Sequence, residues 1–173
     1  QRAVNGFGSV VVAGFTAASK VEQLTTQPLK TLGITMATYA GQNLGAGEIG
    51  RIRTGVRISV LLALGYSALC CVLVFLWGGQ LAGLFLDSGE QQAIDAARQY
   101  LNTVSVFFAV LGLLFVFRNT LQGMGSTLVP LLGGVCELVM RTVISLTLPG
   151  VIGYTGACLA SPMAWIGAVI PLV

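Results

Sequence analysis

The chain has 173 residues, of which 55% are hydrophobic and only 9% charged; its net charge is +3 and it contains no histidine. A soluble domain carries roughly 25% charged residues, so this chain lacks the charge to cover a water-facing surface, and a bilayer is the solvent that suits it. The small positive balance sits in loops and excludes a nucleic-acid footprint, while the lack of histidine removes the commonest general base and metal ligand.

Five apolar segments, each near the length of about 20 residues that a helical span needs, follow in order. The first, 9–39, is polar for a span, with Lys20, Glu22, Gln23, Gln27 and Pro28 inside it. It runs into Gly41–Gly47, GQNLGAG, which reads as a glycine-rich polar loop followed by Arg51, Arg53 and Arg57. The second span, 58–85, opens with a run free of charge from Ile58 to Trp77; the others cover 100–117, 128–148 and 151–173. Turn chemistry at Asp87-Ser88-Gly89, around Gly123, Gly125 and Pro130, and at Pro149-Gly150 separates them, with Asp95 suited to the first turn of the helix that follows. Lipid leaves a spanning backbone to satisfy its own hydrogen bonds, so only helices or a closed barrel cross it. Barrel strands alternate apolar and polar residues; Val72 to Trp77 does not. The expectation is one all-α, polytopic membrane domain over 1–173.

Sidedness follows from lysine and arginine in short loops. Five spans put Arg51, Arg53, Arg57 and Arg118, in loops near 41–57 and 118–127, on one face. Arg2 and Arg98 fall on the other, beside Asp87, Glu90 and Asp95. The arginine-rich face, with the GQNLGAG loop, is therefore cytoplasmic. Cys70, Cys71, Cys136 and Cys158 have no CxxC spacing and read as buried free thiols. Starting at Gln1 and stopping at Val173 within an apolar run, the sequence reads as a fragment of a longer chain.

Charge inside a span is costly and marks function by default. Glu137 and Arg141, four apart, share a helix face. They read as a neutralised pair locking one helix to a neighbour, with a charge relay at a substrate cavity as the alternative. Glu22 is the acid of the first span and the candidate for proton or cation coupling, since a carboxylate in a low-dielectric cavity suits reversible protonation. Lys20 and Gln23 flank it. Pro28 removes a backbone hydrogen bond and is the expected hinge. Lys20 and Glu22 could equally reach an interface, and Lys30 reads as reaching the headgroups with its long stem. Asn119 and Gln122 are placed to cap the third span or to bind loop backbone. A P-loop needs GxxxxGK[ST], which GQNLGAG is not. An intramembrane aspartyl enzyme needs two embedded carboxylates, whereas both aspartates fall in one loop. Neither a catalytic residue nor a metal site is expected.

Several pieces in order carry a resemblance: Val4-Asn5-Gly6-Phe7-Gly8, Lys20-Val21-Glu22-Gln23-Leu24 with Pro28, and Gly41-Gln42-Asn43-Leu44-Gly45-Ala46-Gly47 with Arg51. They continue with Arg118-Asn119-Thr120-Leu121-Gln122-Gly123-Met124-Gly125, the Glu137 and Arg141 pair, and Ala160 to Trp165. Together they resemble the second half of the MATE (multidrug and toxic compound extrusion) transporters, in the prokaryotic branch of DinF-like proteins. The resemblance implies twelve helices in two six-helix lobes, with this chain supplying the eighth to twelfth, and Gln1 to Gly8 ending the seventh. It implies an inner-membrane antiporter that exports cationic compounds in exchange for H⁺ or Na⁺ and needs no cofactor. Its partners would be the bilayer, a small cationic organic substrate and an N-terminal lobe absent here. Acids of the central cavity would bind both ion and substrate, a role carried to Glu22 by its location. A related flippase for lipid-linked oligosaccharides or peptidoglycan precursors is the alternative, with Lys20, Lys30 and Arg141 facing anionic headgroups.

Overall fold

The computed structural model describes residues 7–86 and 91–172, so Asp87, Ser88, Gly89 and Glu90, with the first six residues, lie outside it. Six α-helices occur among the described residues: α1 (Ser9–Gly45), α2 (Ile49–Gly83), α3 (Gln91–Ser105), α4 (Phe108–Gly123), α5 (Leu128–Ile152) and α6 (Tyr154–Val169), then a 3₁₀ turn at Ile170–Leu172. α2, α5 and α6 with its 3₁₀ turn are long and apolar enough to cross a membrane. α3 and α4 together make a fourth such segment, bent by 53° at their junction. α1 has ample length, 37 residues, about 55 Å at 1.5 Å per residue, but carries Lys20, Glu22, Gln23 and Gln27 within it.

How a polar helix can sit in such a bundle is visible along α1. Thr16, Thr25, Thr26, Thr31 and Thr35 each turn their hydroxyl back onto the carbonyl four residues earlier. Each hydroxyl, including that of the buried Thr26, is thereby satisfied within its own helix. α1 packs on α2, α3 and α4, while α5 pairs chiefly with α6. Lipid provides no hydrophobic drive between helices, so close approach of small residues does the work. Gly123 of α4 lies against the backbone of Ala37 on α1, with no room for a Cβ. Phe108, Leu29, Leu101 and Leu114 are among the largest fully buried side chains of the interior.

The glycine motif departs from expectation. Gly41 to Gly45 are not loop: they complete the last turn of α1, and only Ala46 to Glu48 separate α1 from α2. Gly47, at φ +75°, takes the left-handed conformation. Its N–H donates to Leu44 O at 3.0 Å and the Glu48 N–H to Asn43 O at 2.8 Å. This paired pattern is the Schellman helix end. Gly125 repeats it after α4, at φ +82°, with Gly125 N–H to Gln122 O at 3.0 Å and Ser126 N–H to Leu121 O at 2.9 Å. Arg51, Arg53 and Arg57 accordingly stand on the first turns of α2 instead of in a loop.

Two other boundaries differ. The expected span 100–117 is a broken pair, interrupted where the Ser105 hydroxyl donates to Asn102 O at 3.3 Å and the Phe107 N–H to Val104 O at 2.9 Å. These short-range bonds compete with the helical ladder and turn the chain. Pro149-Gly150 does not end the fourth expected span: α5 continues to Ile152 and stops at Gly153, φ +62°.

Candidate ion and substrate site

Glu22 and Lys20 are two apart on α1 and so cannot share a face; the fold sends them to different places. Lys20 is exposed and lays its Nζ 5.5 Å from the centre of the Phe85 ring beyond α2, a cation–π contact. Glu22 turns into the bundle, where its Oε2 accepts a 2.7 Å hydrogen bond from the Tyr100 hydroxyl of α3. Tyr100 is buried and stands edge-on to Phe15, ring centres 4.8 Å apart, so its aim is fixed by packing. Lys30, two turns further along α1, is half-buried. Gln23 is exposed, on a different side of α1 from this contact.

α1 runs through Pro28 as one uninterrupted helix. One turn before the proline, the Tyr66 hydroxyl of α2 donates to Thr25 O at 2.9 Å. A backbone carbonyl near the lost ladder bond thus gains a partner from the neighbouring helix, which fastens α1 to α2 at the expected hinge.

The second charged place is larger than the sequence suggested. Glu137 on α5 bonds Arg141 through Oε1, 2.9 Å to Nη2, as the spacing required. Its Oε2 accepts a second bond, also 2.9 Å, from Nη2 of Arg118. Arg118 is therefore no loop residue: it lies inside α4, and with Glu137 it ties α4 to α5. Arg141 Nη1 reaches Ser161 Oγ of α6 at 3.4 Å, so the network touches three helices. One carboxylate between two guanidiniums leaves this cluster with an excess positive charge. Arg141 retains 45% side-chain exposure against 22% for Glu137. Asn119 does not cap α4 but bonds its own helix, Nδ2 to Phe115 O at 2.8 Å. Asn43 does the same to Tyr39 O at 2.8 Å, while Gln42 is exposed. All four cysteines are free, Cys70 and Cys158 buried and Cys71 and Cys136 half-buried.

The sequence does not mark Tyr100, Tyr66 or Arg118 as partners. A Tyr at the head of an apolar run and an Arg five residues before a Gly-rich turn were the available signals; the pairings arise only when α3 meets α1 and α4 meets α5.

Comparison with known proteins agrees with this architecture. The MatE family profile matches residues 2–147. The chain is 27% identical over 125 residues to the probable multidrug resistance protein YpnP of Bacillus subtilis (strain 168), covering 72% of this chain and 28% of that protein. To YoeA of the same organism, also named a probable multidrug resistance protein, it is 25% identical over 127 residues, 73% of this chain and 27% of the relative. It is 25% identical over 153 residues to a protein of Shewanella oneidensis named FAD transporter, 88% of this chain and 33% of the relative. The fold is similar to a crystal structure of MATE in the bent conformation, with a TM-score of 0.89 at 16% identity, covering 98% of this chain and 38% of that one. At that identity the likeness is one of fold. The chain spans 27% to 33% of the length of the curated relatives it matches. An all-helical, multi-pass membrane chain with this fold and this profile match belongs to the MatE family, whose members are transporters and not enzymes.

Proposed function

We propose that the chain is the C-terminal lobe of a secondary active antiporter of a bacterial inner membrane, which exports cationic drugs or toxic metabolites in exchange for H⁺ or Na⁺. The observation that carries this reading is the Tyr100 to Glu22 hydrogen bond. A half-buried carboxylate among the helices accepts the tyrosine hydroxyl and so joins α3 to α1. A proton or Na⁺ arriving at Glu22 competes for the same lone pairs and loosens that join. Ion occupancy then favours one arrangement of the helices over another, and only such a difference in affinity can shift their balance. A second, N-terminal lobe rocking against this one would expose a central cavity to alternate sides. No cofactor is required beyond the coupling ion, and Glu22 rather than Lys20 or Gln23 carries the exchange.

The test uses the full-length protein in proteoliposomes, with movement of a cationic dye driven by a pH gradient or by a Na⁺ gradient. Glu22→Gln is expected to abolish ion-driven movement while membrane abundance stays unchanged. Undiminished exchange by that variant would overturn the role of Glu22.

A second reading has one observation in its favour. The excess positive charge of Arg118, Glu137 and Arg141, half-exposed at Arg141, suits an anionic cargo. That would be a lipid-linked headgroup in a flippase, or a phosphate-bearing solute, as the name of the FAD transporter relative suggests. Absence of dye movement under both gradients, with transfer of an anionic cargo by the same folded protein, would select it.

A further inference from the structure

At the arginine-rich end of the bundle, α2, α4 and the closing 3₁₀ turn leave a groove of about 470 Å³. Arg53 and Arg57 stand on one side of it, and Phe117, Leu121, Met124 and Leu172 are among its apolar lining residues. The two arginines are four apart on α2 and so share a face. Both are exposed, and neither has an acidic partner within salt-bridge distance among the described residues. Arg51 differs: it does not line the groove, and its Nε lies 3.9 Å from Glu48.

Two unpaired guanidiniums beside an apolar cleft present a mixed surface. Guanidinium forks match phosphate oxygens in pairs, and the aliphatic and aromatic wall would accept a chain without polar groups. The excess of arginine at this end marks it as cytoplasmic, and the cytoplasmic leaflet is the one whose headgroups are negative. Charge and apolar character together select one class of molecule. We propose that this groove binds an anionic phospholipid of the cytoplasmic leaflet, its phosphate held between Arg53 and Arg57 and an acyl chain laid along Phe117, Leu121 and Met124. The inference rests on the membrane placement of the chain and not on the transport reading or on Glu22.

The site is tested by native mass spectrometry of the full-length protein in detergent, titrated with phosphatidylglycerol and, for comparison, phosphatidylcholine. The first phosphatidylglycerol is expected to bind about tenfold more tightly than phosphatidylcholine. Arg53→Gln with Arg57→Gln should abolish that preference, and Arg51→Gln should leave it intact. Leu121→Trp keeps both arginines but fills the groove, and it too should lose the preference. Melting temperatures establish that each variant is folded; if the double variant is not, the single substitutions Arg53→Gln and Arg57→Gln are read in the same way. Equal binding of the two lipids, or an undiminished preference in the double variant or in Leu121→Trp, overturns the proposal. The last pattern is also what a further segment of the intact chain lying in the groove would produce.

Discussion

The hydroxyl of Tyr100 meets Oε2 of Glu22 at 2.7 Å, joining two residues 78 positions apart. A hydrogen bond to a charged group is worth about 1.5–3 kcal/mol, enough to matter in a balance between two helix arrangements. We expect Tyr100→Phe, which keeps the ring and its packing on Phe15, to retain abundance but to couple transport less tightly to the ion, because no join is left for the ion to break. The concentration of coupling ion giving half-maximal exchange should fall about tenfold, because the ion no longer displaces the tyrosine. Exchange measured against ion concentration in proteoliposomes checks this; an unchanged midpoint would mean that the contact is structural only.

Glu137 holds two arginines, so its loss strands both. Glu137→Ala is expected to lower stability by about 3 kcal/mol, the low end for breaking a buried pair, because the cluster keeps some solvent contact. Arg141→Ala should cost less, since Arg118 still neutralises Glu137. The order of melting temperatures, wild type above Arg141→Ala above Glu137→Ala, is read by thermal unfolding in detergent. If Glu137→Ala melts normally but loses transport, the cluster is a working part of the cavity.

Gly123 sits against the backbone of Ala37, where no side chain fits. Gly123→Val is expected to force α1 and α4 apart at a cost of about 1–3 kcal/mol. A drop in folded yield and melting temperature would show it; wild-type behaviour would mean that this crossing yields easily.

Within the GQNLGAG segment the glycines are not equivalent. Gly47→Ala places a Cβ at φ +75°, a left-handed position that costs roughly 1 kcal/mol for a residue other than glycine. Gly45 has a helical backbone and open space around it, so Gly45→Ala should be neutral or slightly stabilising. Comparing the two melting curves tests the helix-end reading of the motif directly.

The sequence carried what local chemistry determines. Gly47 and Gly125 announced turns, because only a glycine readily takes the left-handed cap, and Glu137 with Arg141 announced a shared helix face through a spacing of four. It did not show that Gly41 to Gly45 remain helical, since glycine and asparagine are scored as breakers even when an entire Schellman end follows them. Arg118 reads as a loop residue for the same reason, its position shortly before a glycine-rich turn. The 53° bend between α3 and α4 has no proline or glycine from Asn102 to Phe108 to betray it. It arises from a serine competing for a carbonyl, an event invisible to hydropathy. Tyr100 and Tyr66 needed the tertiary fold, because both act on α1 from other helices.

That bend has a mechanical consequence. α3 is a rod of 15 residues, about 22 Å long, and its pivot at Ser105 lies only five residues beyond Tyr100. The tyrosine therefore grips the rod close to its fulcrum. On the proposed role of Glu22, a small displacement there would be multiplied at the distant tip near Gln91, where a turn of about 10° would move the end by about 4 Å. A chemical event too small to be seen as a rearrangement at the carboxylate would become, one helix length away, a change in the width of the groove that Gln91 and Arg98 line with α2.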